Sequence, residues 1–415
     1  MNPDVIIVGA GMAGLACAVT LQAAGKQVCL LEGSSRVGGR VGSLLLPAGH
    51  RIDLGFQVLF SAYPTLNRLV DVRALDWRAY EAGALIRTGS AWRPVADPFR
   101  QPGDLWSTVT SGLYGPTDAW ALMRLGLETA RSEGDPPLGR STAEDWNRLG
   151  FSERFQARFL RPFFSGIWLD RTLDVDAAVF RFYWRMLASG QAVVPAQGMQ
   201  ALPDQLAGRL TPGSLWTNTP VQALRREQGR VVGVALADGR VLEAPQVVLA
   251  TPAPELSRLL EDPTRRLRGK PAVTMYFAAP EAPFQRRLIA LAPDATGPVG
   301  IVAVPSLVAP DMSPAGEHQV AVQLLPDAAG RFDSEPEAVL KALRQWFPAA
   351  DLSAWRWLHT VTVPFAQFDQ GVGTPRWPER HPSGCLLASE ATRQSSIEGA
   401  LRSGVQAAEA ILGAS

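Results

Sequence analysis

The chain opens on an unbroken apolar run, Val5-Ile6-Ile7-Val8 behind Asp4, the pattern of a parallel strand buried on both faces. A helical stretch, Leu15 to Ala24, follows and stops at Gly25, and Gln27 to Leu31 reads as a second buried strand. Further along, Val221 to Leu224, Arg230 to Leu236, an Asp238-Gly239 turn and Gln246 to Thr251 form a compact strand-rich block. The chain closes with a strand over Cys385 to Ser389 and a helix opening at Ser396 and running to Leu412. Two stretches between these blocks are patterned differently. The first reads helical: Ser141-Thr142-Ala143-Glu144 fits a capping box, Phe151, Phe155, Phe159 and Phe163 recur on one helix face, and Pro162 should kink that helix. The second alternates apolar and polar residues over Ala272 to Ala278, Gln319 to Leu325 and Trp355 to Val363, the signature of antiparallel strands.

The turn between the first strand and helix carries chemistry. Gly9-Ala10-Gly11-Met12-Ala13-Gly14 places Gly9 at a tight turn, Gly11 where backbone can approach a pyrophosphate at the positive end of a helix, and Gly14 where helix packs on strand. Glu32, at the end of the second strand, is placed to accept ribose hydroxyls and would repel a 2′-phosphate. Strand, glycines, helix, strand and terminal acid in register point to a dinucleotide site.

The continuation Gly33-Ser34-Ser35-Arg36-Val37-Gly38-Gly39-Arg40 resembles the ExxxRxGGR segment of the superfamily of flavin amine oxidases, phytoene and other carotene desaturases and protoporphyrinogen oxidases. The resemblance implies FAD, bound non-covalently, rather than NAD. Gly38-Gly39 would bring a second backbone segment to the pyrophosphate, with Arg40 as a fixed positive charge beside it. Asp53-Leu54-Gly55-Phe56-Gln57 is similar to the family's DxG segment, which implies Gly55 and Phe56 along the isoalloxazine. Glu390 stands where relatives bind the ribityl chain. The amides at Ile397, at a helix N-terminus, stand where they face the pyrimidine carbonyl, and Val221 where backbone meets adenine. The implied cofactor positions are Gly9, Gly11, Met12, Ala13, Gly14, Glu32, Gly33, Gly39, Arg40, Gly55, Phe56, Val221, Glu390 and Ile397. No catalytic base and no metal ligand is assigned.

The implied fold is α/β: an FAD-binding, Rossmann-like two-dinucleotide-binding-domain unit plus an α+β substrate domain with a mixed sheet and a helical insert. Because both chain ends carry flavin motifs, the FAD domain is expected to be discontinuous, over residues 1–75, 205–265 and 380–415, with residues 76–204 and 266–379 as the substrate domain. A length of 415 residues accommodates two domains.

Composition narrows the partners. With 40 Lys+Arg against 39 Asp+Glu, the formal charge of +1 offers no field for nucleic acid. Cys17, Cys29 and Cys385 make no CxxC pair, and His50, His318, His359 and His381 are scattered, so neither a zinc site nor a redox disulfide is expected. No secretory leader or membrane-spanning run is visible, and a cytoplasmic protein, with peripheral membrane contact left open, is the expectation. Ser395 and Ser396 lack GxSxG context, which sets hydrolases aside. No second GxGxxG supplies an NAD(P)H domain, so the substrate itself should reduce the flavin, with oxygen or a quinone among the candidate acceptors.

Three readings of the reaction remain. Ala388 to Ala400, with its Thr392-Arg393-Gln394 step, resembles the C-terminal motif of carotene desaturases, and Pro195 to Leu202 resembles the PxGGMxxL stretch of that branch, with Gln197 for the first glycine. This favours dehydrogenation of a small, apolar organic substrate, carotene-desaturase-like or protoporphyrinogen-oxidase-like. The aromatic first insert, with Trp77, Trp92, Trp106, Trp120, Trp146, Trp168 and Trp184, suits such a substrate, although most of these residues are expected to be packing. A flavin amine oxidase is the alternative. It is weakened because Ser396 stands where such enzymes carry a cage Tyr, and because Ala272 takes the place of a Lys, with Lys270 two residues early. The alternative of another class is a non-catalytic lipid or prenyl carrier on the same fold.

Overall fold

The computed structural model describes residues 3–413 apart from 90, 97–100, 102, 104–111, 114, 131–136, 294–296 and 328–329; Trp106 lies outside the described residues. Val5–Val8 is buried along its whole length and occupies the centre of a five-stranded sheet. The order across that sheet is Leu215–Trp216, Val28–Leu31, Val5–Val8, Gln246–Leu249 and Leu386–Leu387. Every neighbouring pair is parallel. Burial on both faces explains why these strands read as continuous apolar runs. The sheet therefore gathers the two ends and the middle of the chain. The opening helix, Met12–Ala23, lies against the closing helix, Ile397–Leu412, at backbone contact: a Cβ on Gly404 would stand 2.0 Å from the Ala13 carbonyl oxygen. The middle block adds an antiparallel three-stranded sheet, Val221–Glu227, Arg230–Leu236 and Val241–Glu243.

The second sheet has seven strands in the order Arg356–Phe368, Gly269–Ala279, His318–Leu324, Val299–Ala303, Ile289–Leu291, Gly83–Thr88 and Ala91–Ala96. All pairs are antiparallel except Ile289–Leu291 with Gly83–Thr88. The long strands expected in the second insert form and pair antiparallel, but Val273 to Ala279 and Gln319 to Leu324 are buried throughout rather than on alternate residues, because both faces of the sheet are covered there. The first insert departs from a purely helical reading. Its Gly83–Ala96 hairpin completes this sheet, turning at Gly89 with φ +63°. Pro94, which argues against a strand, sits on the outermost one, the place in a sheet that tolerates proline.

The first insert also carries helices at Pro116–Ala130, Thr142–Leu149, Arg161–Trp168 and Ala177–Ser189, and two short strands, Trp77–Ala79 and Ala192–Pro195, that pair with each other. The capping box forms: Ser141 Oγ accepts from the Glu144 N–H, and Glu144 accepts the Ser141 N–H at 2.7 Å. Ahead of Pro162 the α-helical ladder is interrupted by a π-helical turn, Gln156–Leu160, and Pro162 sits in the first turn of the helix Arg161–Trp168 that follows. Asp145, fully buried, accepts from Arg140 and Arg181 at 2.8 Å and from Arg148 at 2.9 Å; Glu128 takes Arg148 and Arg181 at 2.6 Å. Burial alone would raise the Asp145 carboxyl, but its bonds from Arg181 and Arg148 outweigh that and hold it below the ordinary value. The same arginines take Glu128, against its own burial, down to about 2.

Candidate cofactor and substrate site

The glycine turn separates three demands. Gly9 adopts φ +102°, and a Cβ there would meet the Ala250 carbonyl oxygen at 2.7 Å. A Cβ on Gly14 would stand 1.9 Å from the Gly9 oxygen. Both glycines are thus required by the protein's own packing. Gly11 is different: a Cβ there would meet no protein atom within 4 Å. Nothing in the chain requires glycine at this position, so the cradle is open on the side where a pyrophosphate would approach the helix N-terminus. The second glycine segment closes over the first: the Gly38 N–H donates to the Ala10 carbonyl at 2.8 Å, and a Cβ on Gly39 would lie 3.5 Å from the Gly11 Cα. Arg36 holds this loop by donating to the Gly39 carbonyl at 2.6 Å and, more weakly, to those of Val37 and Val41. Met12 and Ala13 are buried in the first helical turn.

Glu32 accepts the Ala10 N–H at 2.8 Å on one oxygen and the Ser34 N–H and hydroxyl on the other. The Asn218 and Thr219 N–H groups donate to the Ser34 and Glu32 carbonyls, and Gly33 packs beside Pro220, which brings buried Val221 close to the second strand's end. Next to the second glycine segment, Arg40 reaches Glu390 at 2.6 Å and donates to the Ala366 carbonyl at 2.9 Å. Glu390 is buried, and the contact is ionic rather than a well-directed hydrogen bond. Two residues implied separately at the pyrophosphate and the ribityl chain are therefore partners of each other. Ile397 starts the closing helix, capped by Ser396, whose hydroxyl accepts the Gly399 N–H at 2.8 Å.

The Gly55-Phe56 loop rests on the seven-stranded sheet. Tyr276 Oη lies 3.0 Å from the Asp53 carbonyl and 2.9 Å from the Gly55 carbonyl, and Thr274 Oγ1 accepts the Phe56 N–H at 3.1 Å. Gln57 donates to the Arg40 and Leu54 carbonyls at 2.8 and 2.7 Å. Asp53, buried, accepts from Ser43 Oγ at 2.6 Å and the Met199 N–H at 2.9 Å, and burial pushes its carboxyl up to about 6. Phe56 packs, with half-buried Phe159, Phe163 and Ile289, against Ala84, Ile86, Leu291 and Ile301. Phe159 stacks on Phe155 at 5.4 Å and on Phe163 at 5.7 Å between centroids. Sequence reasoning singled out neither Tyr276 nor Thr274 nor Gln57; only strand alternation placed the first two on one face. Glu398 was also unassigned, and it accepts the Thr65 and Leu66 N–H groups, fixing the short helix Pro64–Leu69 to the closing helix. Lys270 lies 2.5 Å from Asp170 and 3.6 Å from Asp369.

Among the described residues, no helix is long and apolar enough to cross a membrane. A 67-residue segment is 46% identical to zeta-carotene desaturase of Synechocystis sp. (strain ATCC 27184 / PCC 6803 / Kazusa), covering 16% of this chain and 14% of that protein. The chain thus matches about a seventh of that relative's length. Solved structures match over the whole fold. An oxidoreductase from Methanosarcina mazei superposes with a TM-score of 0.77 at 18% identity, covering 98% of this chain and 99% of that one. Cyclohexylamine oxidase from Brevibacterium oxydans IH-35A gives 0.70 at 18% identity, covering 100% and 99%. The family model for flavin containing amine oxidoreductases matches residues 12–412, and with that span the chain belongs to this family of FAD-dependent oxidoreductases.

Proposed function

We propose that this protein holds FAD non-covalently and uses it to dehydrogenate a small, apolar organic substrate. In this reading residues 1–75, 205–265 and 380–415 form the cofactor domain, and residues 76–204 and 266–379 form the substrate domain. The open face of Gly11, against Gly9 and Gly14 locked by packing, supports a pyrophosphate at the helix N-terminus with Gly39 opposite. Glu32 would exchange its bond to Ala10 for ribose hydroxyls, Val221 would border adenine, Arg40 and Glu390 would flank the pyrophosphate and ribityl chain, and Ile397 would offer a helix N-terminus to the ring. Bound FAD supplies acceptance of two electrons and a hydrogen from a C–H bond.

The observation that carries the substrate reading is that Phe56, beside Gly55 on the cofactor loop, shares one apolar cluster with the stacked Phe159 and Phe163. A wall of this kind excludes water and holds an apolar carbon near the cofactor loop without charge pairing. Lys270 is paired with Asp170 and Asp369, so its side chain is held by two carboxylates rather than free to face an amine. Anaerobic mixing of the FAD-loaded protein with a carotene, a porphyrinogen and an amine panel tests the proposal. Bleaching of the flavin bands by an apolar polyene or porphyrinogen supports it, and bleaching by amines alone overturns the substrate class.

A further inference from the structure

We propose that Tyr276 and Thr274, on the substrate-side sheet, are positioning residues for the flavin, acting through the loop Asp53–Gln57. The inference rests on the cofactor reading above and adds residues that no motif in the sequence marks.

The loop has no regular secondary structure past Asp53, and Gly55 holds φ +102°, so its shape must be imposed from outside. The donors and acceptors that impose it come from one strand. Thr274 and Tyr276 stand two residues apart on Gly269–Ala279 and therefore face the same way. Both are about 1% exposed. Thr274 takes the Phe56 N–H, while the Tyr276 hydroxyl lies within bonding distance of the carbonyls on either side of Leu54. A buried carbonyl that loses its donor has no water to replace it, so these bonds hold the loop in one register. Gln57 carries that register further: its amide ties the same loop to the backbone of Arg40, whose side chain meets Glu390. Hydrogen bonds and the intervening backbone thus link Thr274 and Tyr276 to the Arg40–Glu390 ion pair.

The strand is itself held firmly. It pairs with His318–Leu324 on one side and Arg356–Phe368 on the other, so Thr274 and Tyr276 are fixed points against which the loop is set. The ladder bonds of the strand are made by its backbone, so removing either hydroxyl is expected to loosen the loop while the sheet stays paired.

The test uses full-length Tyr276→Phe and Thr274→Val, with Thr274→Ser as the conservative control, each titrated with FAD. Tyr276→Phe and Thr274→Val are expected to weaken FAD binding by roughly fivefold to tenfold, the change expected for one lost buried hydrogen bond. They should also shift the bound flavin's visible absorption bands, a signature that a purely structural residue far from the ring would not move. Thr274→Ser should restore both. Wild-type affinity and spectrum in both variants would overturn the proposal while leaving the cofactor site standing. A wild-type protein that takes up no FAD would overturn both readings. Should Tyr276→Phe fail to fold, Thr274→Val against Thr274→Ser decides the matter alone.

Discussion

The glycine turn at residues 9–14 is made of backbone, whereas the phenylalanine ladder at residues 155–163 is made of side chains, and the two fail in different ways. In the turn, function depends on what a residue lacks. Gly14 and Gly11 are three positions apart, yet a Cβ at the first collides with the Gly9 carbonyl and a Cβ at the second meets nothing within 4 Å. One glycine is required by the fold, and the other is the one we propose to serve the cofactor. In the ladder, Phe155 is buried while Phe159 and Phe163 are half-buried, so only the last two rings keep a face free of packing. The contrast teaches that motif residues of one type can carry opposite roles, and that a Cβ test separates them.

The largest expected effect sharpens that contrast. Gly11→Val should weaken FAD binding by about a hundredfold or more while thermal unfolding of the ligand-free protein stays near wild type. Gly14→Val should lose the fold itself, seen as loss of soluble protein or of cooperative melting. Equal flavin content in Gly11→Val and wild type would remove the basis of the site assignment.

A second effect lies in the helical insert. Asp145→Ala leaves Arg140, Arg148 and Arg181 converging on an absent carboxylate and should cost about 3 kcal/mol of stability, measured by urea unfolding. FAD affinity should not follow, since the cluster lies on helices of the insert; a matched loss of affinity would mean that the two regions are coupled.

Phe159→Ala tests the ladder as a substrate wall. We expect kcat/KM for an apolar substrate to fall about tenfold, the cost of a partly lost apolar contact, with flavin content intact. An unchanged value would leave Phe159 as helix packing.

The last effect, spread over a range of pH, concerns Asp53. Its carboxyl is raised to about 6 by burial, so the folded state binds this proton more tightly than the unfolded state does. The contribution is stabilising below the ordinary carboxylate range and is lost as pH rises through about 6, amounting to no more than about 3 kcal/mol. Arg51, Ser43 and the Met199 N–H oppose the shift, and Tyr80 and Tyr276 lie within its field. Asp53→Asn should flatten the fall in melting temperature between about pH 4 and 6.5.

What could be read in the sequence follows the same division. The turn was legible because backbone demands are written locally: Gly9, Gly14, Gly25 and Glu32 each sit at a fixed offset from a strand or helix end. The capping box at Ser141 and the strands after Gly269 were legible for the same reason. The Gly83–Ala96 hairpin was not, because short strands containing Pro94 lack a clean alternation. Nor were the Arg40–Glu390 pair and the Tyr276 bonds to the Asp53–Gly55 turn. Those partners are hundreds of residues apart, and only the fold brings them together.

The most direct test of the central claim is the absorption spectrum of the purified protein after FAD addition and gel filtration, repeated on the supernatant after acid precipitation. The account predicts flavin bands that travel with the protein and are released completely by acid. A colourless protein after FAD addition would contradict it and favour a carrier on this fold, and flavin retained in the precipitate would contradict non-covalent binding.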